Sequence, residues 1–278
     1  MADEINPEKT QNLPPDADRS SKTKQGEVMI RVCNVGKSFG ENPVLKDISF
    51  EVKAHETVGI IGVSGCGKST LLRIISGLET ADTGDVQLAN PNYSLVFQYS
   101  ALFDSLSVLE NVAFSLLERP DAEYEKALSE TSQRRKRYSP KQIRKVVAEK
   151  LRMVGLEGIE DQYPNELSGG MQKRVSFARA IVSNPRIILY DEPTAGLDPI
   201  ASTVIEDYIR KLRDELSAAS VVVTHQFSTI NRTDRVILLH EGEIKWQGSP
   251  KELYSSDNPY AKQFSHASLQ GPMALEHH

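Results

Sequence analysis

A glycine-rich stretch followed by a lysine and two hydroxyl residues constrains the fold of this 278-residue chain more than any other feature. Residues 62–70 read GVSGCGKST, which matches the phosphate-binding pattern G-x-x-x-x-G-K-[ST]. An apolar run, Thr57–Ile61, precedes the loop, and an apolar helical stretch, Ser69–Ser76, follows it. Strand, loop and helix in this order place backbone N–H groups and the positive end of a helix around an anion. The sequence therefore predicts a site for the phosphates of a nucleotide.

The residues of this loop have different predicted roles. Glycines let the backbone approach the phosphate oxygens closely, because a Cβ would clash there. Lys68 is expected to reach the β- and γ-phosphates, and the hydroxyl of Ser69 is expected to ligate Mg²⁺. Cys66 is either a small loop residue without a chemical role or a thiol activated by the helix N-terminus. The residues assigned to nucleotide binding here are Gly62, Val63, Ser64, Gly65, Cys66, Gly67, Lys68, Ser69 and Thr70.

Composition and charge exclude several other classes of protein. With 39% hydrophobic and 26% charged residues, the chain is neither collagen-like nor wholly disordered. A net charge of −5 argues against a nucleic-acid binder that works by neutralising phosphates. The two cysteines, Cys33 and Cys66, are too few for a disulfide framework. No uninterrupted apolar stretch reaches the roughly 18 residues of a membrane span, and the N-terminus lacks the apolar core of a signal peptide.

Apolar runs alternate with helical segments along most of the chain. Val28–Val35 and Ile48–Val52 are predicted to pair as antiparallel strands across a turn-rich stretch. The later strands are predicted to form a parallel sheet covered on both faces by helices, one of them over Pro199–Leu216. Between Ser107 and Val182 apolar residues recur at helical spacing, so this block is predicted to be a helical subdomain inserted into the α/β core. The strands of the parallel sheet are predicted at Thr57–Ile61, Ile187–Tyr190, Val221–Thr224 and Val236–Leu239.

Two acidic residues end the apolar run Ile187–Tyr190. Acidic side chains at the carboxyl end of a parallel strand lie where open α/β sheets bind their ligands. Asp191 is expected to hold Mg²⁺, and Glu192 to act as the general base for an attacking water. The alternative is a solvated strand end, and the phosphate loop upstream favours the functional interpretation.

A second candidate anion site lies at Ser168-Gly169-Gly170, in front of a helix predicted at Lys173–Val182. A serine hydroxyl, backbone N–H groups and the helix dipole together suit a negatively charged ligand. Because the chain already has one phosphate site, the second either serves the nucleotide of another copy or is an ordinary helix cap.

In combination these motifs resemble the ATP-binding cassette (ABC) ATPases over about residues 28–250. The motif LSGGM at 167–171 is similar to the LSGGQ signature of that family, with Met171 in place of glutamine. Phe39 lies upstream of the phosphate loop, where the family places an aromatic side chain against adenine. Three further motifs resemble those of the family, namely a Q-loop at Val96–Gln98, a D-loop at Ala195–Pro199 and a switch histidine at Val223–His225.

The resemblance implies an α/β fold with a P-loop NTPase (RecA-like) core, an antiparallel β subdomain and an inserted helical subdomain at about residues 98–182. It also implies a head-to-tail homodimer around two Mg-ATP. In such a dimer Ser168 and Gly170 of one copy, with Gly169 between them, contact the γ-phosphate held by Lys68 of the other copy.

The resemblance also implies roles for three residues outside the phosphate loop. Gln98 would contact Mg²⁺ and the attacking water, and His225 would contact the γ-phosphate. Asp198 would couple the two nucleotide sites across the dimer interface. The implied catalytic residues are therefore Glu192, His225 and Gln98, and the implied metal ligands are Ser69, Gln98 and Asp191.

The predicted domain organisation follows from these boundaries. Residues 1–26 are expected to be a disordered lead, 27–250 the ATP-binding cassette, 251–274 a C-terminal extension, and 275–278 a tag remnant. The extension either packs on its own core or reaches a second protomer. The basic run Arg134–Arg137 is either a solvated loop or a contact to anionic lipid headgroups or to a partner.

One cassette without a membrane span fits a transporter whose integral-membrane permease is a separate chain. The stretch Gln98–Phe114 is expected either to line a groove for that permease or to pack internally. The segments ALFDSLSVLENVAF and LSGGMQKRV look most like the MlaF-type ATPases of MCE-linked lipid transport systems. That likeness implies lipid cargo, an MCE-type lipid-binding component, no nucleic acid, and a peripheral position on the cytoplasmic (in a chloroplast, stromal) face of a membrane. The alternatives are the ATPase of a polar-solute importer and a soluble iron–sulfur assembly ATPase.

Overall fold

The computed structural model describes residues 26–117 and 138–273. Three expectations from the sequence lie outside these residues, namely the N-terminal lead apart from Gly26, the basic run Arg134–Arg137 and the tag remnant at 275–278. No helix within the two described ranges is both long enough and apolar enough to cross a bilayer.

Nine strands in the described residues form two sheets. They are β1 (Val28–Phe39), β2 (Asn42–Lys53), β3 (Thr57–Ile61), β4 (Thr83–Leu88), β5 (Tyr93–Val96), β6 (Ile187–Asp191), β7 (Ala219–Val223), β8 (Arg235–His240) and β9 (Glu243–Gly248). The smaller sheet is antiparallel in the order β2-β1-β4. The larger sheet has the order β5-β6-β7-β3-β8-β9 and is parallel except for the edge strand β9.

Helices cover the larger sheet and build the inserted segment. They are α1 (Lys68–Ile75), α2 (Val108–Leu117), α3 (Pro140–Met153), α4 (Gly169–Ile181), α5 (Pro199–Leu216), α6 (Phe227–Ile230), α7 (Pro250–Ser255) and α8 (Pro259–Ser265), with a 3₁₀ turn at Pro164–Glu166. The predicted α/β fold, with a parallel core sheet, an antiparallel sheet and an inserted helical segment, is confirmed.

The differences from the expected strands occur where burial is weak. β4, β5 and β9, which the sequence did not predict, are exposed or half-buried along most of their length, so no apolar run marks them. β1 and β2 extend beyond their predicted ends through several shifts of register, which break the strict alternation that sequence patterns detect. The fully buried strands β3 and β7, in contrast, read as continuous apolar runs.

Helix α4 begins four residues before its predicted start, at Gly169 rather than at Lys173. Glycine is a poor helix former, so Gly169 and Gly170 argue against a helix at this point of the sequence. The Ser168 side chain nevertheless caps the helix by accepting a hydrogen bond from the Met171 N–H at 3.3 Å. Ser168 and the two glycines that follow it therefore form the exposed first turn of a helix rather than a loop in front of one.

Two of the three apolar clusters in the described residues lie on the two faces of the larger sheet, and the third lies where α6, α7 and α8 pack against β8. On one face the helices α2 to α5 pack against β6 and β7, and the Phe177 ring of α4 stacks on the Tyr190 ring of β6 at a centroid distance of 5.6 Å. On the other face α1 and the antiparallel sheet pack against β3, β6 and β7. The inserted helical segment therefore shares one core with the sheet through α4.

The loop that enters α2 depends on one buried amide, that of Asn111. Its Oδ1 accepts a hydrogen bond from the Phe103 N–H at 2.8 Å, and its Nδ2 donates to the carbonyls of Phe103, Leu106 and Ser107 at 2.9–3.1 Å. Because these bonds tie Phe103, Leu106 and Ser107 to one side chain, the amide fixes the course of the loop.

We expect Asn111→Ala to lower the free energy of unfolding by about 2–4 kcal/mol, since it removes four hydrogen bonds and leaves the Phe103 N–H and the Leu106 carbonyl without their partner. Denaturant unfolding measures the effect, and Asn165→Ala, an exposed asparagine of the 3₁₀ turn, is the matched control. Equal stability of the two variants would contradict this role for Asn111.

Candidate functional site

The candidate site lies along one edge of the larger sheet. The parallel strands β5, β6, β7 and β3 are neighbours in that order, so their carboxyl ends meet at the same edge. The phosphate loop follows β3, Asp191 ends β6, His225 follows β7, and Gln98 follows β5. Four segments distant in sequence are brought together in this way, at the position where open α/β sheets bind ligands.

Two glycines let the phosphate loop adopt its close turn. Gly62 has a φ of +149°, and a Cβ there would lie 2.2 Å from the Leu239 carbonyl oxygen. Gly67 has a φ of +101°, and a Cβ there would lie 2.9 Å from the Val44 carbonyl oxygen of β2. Side chains at either position would displace neighbouring backbone, so the antiparallel sheet and β8 confine the loop to one conformation.

The ammonium of Lys68 is held inside the loop. Its Nζ donates hydrogen bonds to the carbonyls of Gly62 at 3.0 Å and Val63 at 2.9 Å. The first turn of α1 contains no acidic residue, so the positive end of the helix and the lysine charge add at the same place. The loop therefore concentrates positive charge at the N-terminal end of α1.

Ser69 and Asp191 are brought into direct contact. The Ser69 hydroxyl, in the first turn of α1, lies 3.1 Å from Asp191 Oδ1 at the end of β6. A hydroxyl and a carboxylate oxygen are the ligand types that Mg²⁺ prefers, so this pair fits the metal that the sequence implies. Gln98, the third expected ligand, is exposed after β5, and its side chain makes no hydrogen bond within the described residues.

Glu192 and His225 form a second pair beside the first. Glu192 Oε1 lies 2.9 Å from His225 Nδ1, and the Glu192 N–H donates to the Val223 carbonyl at 2.9 Å. The other carboxylate oxygen, Oε2, is buried without a hydrogen-bond partner. Glu192 also has a left-handed φ of +44°, which is costly for a residue with a Cβ. A buried carboxylate with an unpaired oxygen suits a group that has yet to receive a water or a ligand.

The loop after His225 is supported by a buried carboxylate that no sequence motif points to. Glu206 Oε1, on α5, accepts hydrogen bonds from the hydroxyls of Ser228 at 2.6 Å and Thr229 at 2.8 Å on α6. The Arg232 Nε lies 3.0 Å from the other oxygen of Glu206. This network fixes α6, and with it the backbone that carries His225.

The signature residues lie apart from these two pairs. Ser168 caps α4, and a Cβ added to Gly169 or Gly170 would meet no other atom within 4 Å. Asp198 caps α5 by accepting hydrogen bonds from the N–H groups of Ile200 at 2.9 Å and Ala201 at 3.0 Å. Neither segment contacts the phosphate loop by a hydrogen bond within the described part of the chain.

Phe39 ends β1 with its side chain half exposed, and the Lys37 ammonium lies 5.2 Å from its ring centroid. A solvent-exposed ring at the end of a strand is available to stack on a flat ligand. Phe39 therefore does not pack in the apolar core, where aromatic side chains are common.

Cys66 is buried beneath the loop, and the structure disfavours a reactive thiol there. Burial raises the pKa of the Cys66 thiol, although the nearby Lys68 charge opposes the shift. The thiol therefore stays protonated at neutral pH, whereas a reactive cysteine needs a lowered pKa.

Lys173 is a further buried charge that no motif points to. It is 5% exposed, and its Nζ donates a hydrogen bond to the carbonyl oxygen of Gln98. Burial lowers the pKa of Lys173, and the negative charges of Asp191 and Glu192 oppose that shift. A lysine on the buried side of an amphipathic helix is the sequence signal that could have identified it.

Comparison with known proteins identifies the family of the chain. The family model described as ABC transporter matches residues 45–195. The protein TRIGALACTOSYLDIACYLGLYCEROL 3, chloroplastic, of Arabidopsis thaliana is 44% identical over an alignment that covers 89% of this chain and 76% of the plant protein. A sulfate/thiosulfate import ATP-binding protein of Cucumis sativus is 39% identical, with 81% of this chain and 64% of that protein covered.

A solved structure shows the same relationship in three dimensions. The ATP-binding cassette MJ0796, in a dimeric post-hydrolysis state bound to ADP and phosphate, matches with a TM-score of 0.69 at 33% identity. The match covers 80% of this chain and 99% of that one. The chain therefore belongs to the ABC transporter family of ATP-binding cassettes, and it is an ATPase that uses ATP and Mg²⁺.

Proposed function

We propose that two copies of this ATPase close head to tail around two Mg-ATP and drive a separate integral-membrane permease whose cargo is a lipid. The observation that carries the proposal is the exposed turn Ser168-Gly169-Gly170, whose two glycines no contact within residues 26–117 and 138–273 explains. Neither glycine has a positive φ, and neither is needed to make room for a neighbouring atom of the same chain. Space left open at the positive end of a helix suits a ligand that another molecule brings.

Within one copy, the residues around the phosphate loop bind the nucleotide. Lys68 exchanges its two carbonyl partners for phosphate oxygens, and the first-turn N–H groups of α1 face the same oxygens. Ser69 and Asp191, together with Gln98, would hold Mg²⁺, which when bound would supply positive charge beside the phosphates. Phe39 stacks on the adenine ring.

Glu192 takes the proton of the attacking water. Its unpaired Oε2 is the acceptor, while its Oε1 stays fixed by His225 Nδ1. Because the carboxylate is already positioned and largely dehydrated, it needs little reorganisation when the water arrives. His225 remains exposed enough to contact the γ-phosphate from its other ring nitrogen.

We expect Glu192→Gln to lower kcat for ATP hydrolysis by about 10²- to 10⁴-fold, because the amide cannot accept the proton. The variant should also accumulate as an ATP-bound dimer, which size-exclusion chromatography with light scattering measures. Glu215→Gln, an exposed glutamate of α5, is the control. A Glu192→Gln variant with the parent rate would remove Glu192 from this role.

The head-to-tail arrangement is tested by mixing two inactive variants, Lys68→Ala and Ser168→Arg. A dimer of one copy of each contains one site with both defects and one site with none. We therefore expect the equimolar mixture to recover about a quarter of the parent activity, since half of the dimers are mixed and each has one intact site of two. A mixture as inactive as its components would mean that Ser168 serves the site of its own chain.

The lipid cargo is supported by the relative named for trigalactosyldiacylglycerol, a glycolipid, of which this chain spans 76%. The importers of sulfate and thiosulfate are less similar, and the chain spans 64% of the cucumber protein. With a permease and an MCE-type lipid-binding component as partners, the ATPase occupies a peripheral position on the cytoplasmic or stromal face of the membrane.

We expect the ATPase to copurify from detergent extract with a polytopic permease and bound phospholipid or glycolipid, detected by mass spectrometry of the complex. A complex that binds sulfate and carries no lipid would favour a polar-solute importer. Copurification with soluble scaffold proteins alone would favour the iron–sulfur assembly class and contradict the transport proposal.

A further inference from the structure

A row of side chains on α4 holds the segment Gln98–Ala101. Lys173 Nζ donates to the Gln98 carbonyl oxygen, and the Arg179 guanidinium donates to the carbonyls of Ser100 at 3.1 Å and Ala101 at 2.7 Å. The Ser100 hydroxyl donates to Gln172 Oε1 at 3.3 Å. The segment itself has no regular secondary structure, so these contacts determine its course.

The backbone of this segment shows that it is held in place. Ala101 has a left-handed φ of +47°, a conformation that costs a residue with a Cβ free energy. Such a conformation persists only where surrounding contacts impose it, and the Arg179 hydrogen bond to the Ala101 carbonyl is such a contact.

Of these contacts, the one made by Lys173 has the largest desolvation cost. An ammonium that is 5% exposed loses most of its hydration, and a buried charge is retained only when partners compensate for that loss. Its compensation comes from the Gln98 carbonyl and from the negative charges of Asp191 and Glu192. The steps assigned above to the nucleotide site do not use this charge.

Lys173 also lies on the same helix as the signature turn. Helix α4 begins at Gly169, directly after Ser168, and Lys173 follows about one turn later, roughly 6 Å along the axis. A shift of the first turn is therefore transmitted to the Lys173 ammonium through an intact helical backbone.

We propose that Lys173 is a positioning residue that ties Gln98 to the signature helix, so that engagement of Ser168 by the nucleotide of one site sets the position of Gln98 in the other. The inference rests on the proposed function, in which Gln98 contacts Mg²⁺ and water in its own chain's site. Lys173 touches neither nucleotide and acts only through the Gln98 backbone.

The test compares three variants of the full chain. Lys173→Met removes the ammonium at similar volume. Lys173→Gln keeps an N–H donor without being larger than lysine. Lys150→Met removes a second buried lysine of the helical segment, which donates to Asn184 Oδ1 at 2.5 Å and lies outside the site.

We expect Lys173→Met to lower kcat by about 10- to 100-fold while KM for ATP changes less than about threefold, because misplacing a positioned group by about 1 Å has effects of this size. Lys173→Gln should recover most of kcat. In NMR spectra, the backbone resonances of residues 98–101 should shift or broaden in Lys173→Met but not in Lys150→Met, even where both lose the same thermal stability.

Parent-like kcat in Lys173→Met, or unchanged backbone resonances at 98–101, would overturn the proposal. An equal loss of kcat in Lys150→Met would overturn it as well, since the effect would then be general destabilisation. Failure of the proposed function has a different signature: the mixture of Lys68→Ala with Ser168→Arg would then stay inactive while the unmodified chain hydrolyses ATP.

Discussion

The hydrogen bond between the Ser69 hydroxyl and the Asp191 carboxylate joins the two halves of the nucleotide site. Ser69 follows β3 and Asp191 ends β6, two strands separated in the sheet by β7. The contact forms only because the parallel sheet brings the carboxyl ends of its strands to one edge. The buried apolar runs of β3, β6 and β7 are thus the structural basis of the proposed metal site, because they set the register in which these ends align.

The site combines groups that are unfavourable for folding. Glu192 carries a buried unpaired oxygen and a left-handed backbone, and Lys173 carries a buried charge. Each of these groups lowers the stability of the fold, and the apolar cores on both faces of the sheet offset that loss. Buried charges of opposite sign lie together at one edge of the sheet, where a charged ligand can pair with them. Destabilising groups of this kind are common at active sites.

The parts of the site that are contiguous in sequence could be predicted from it. The phosphate loop, Asp191 and Glu192 each depend on a short motif beside an apolar strand, and the structure places them together. The contact of Lys173 with Gln98 could not be predicted, because 75 residues separate the two and only the packing of α4 on β5 and β6 brings them close. The hydrogen bonds from α6 to Glu206 could not be predicted either, because these residues are also brought together only by packing. Strands β4, β5 and β9 and the true start of α4 could not be predicted, because weakly buried strands and glycine-rich helix starts lack an apolar pattern.

The central claim is that a single copy is chemically incomplete, because the signature turn that completes each nucleotide site belongs to a second copy. The most direct measurement is the rate of ATP hydrolysis per chain over a wide range of protein concentration, with the oligomeric state followed in the same samples by mass photometry or light scattering. We predict that the rate per chain falls towards zero as the dimer dissociates on dilution. A rate per chain that stays constant where only single copies are present would contradict the account.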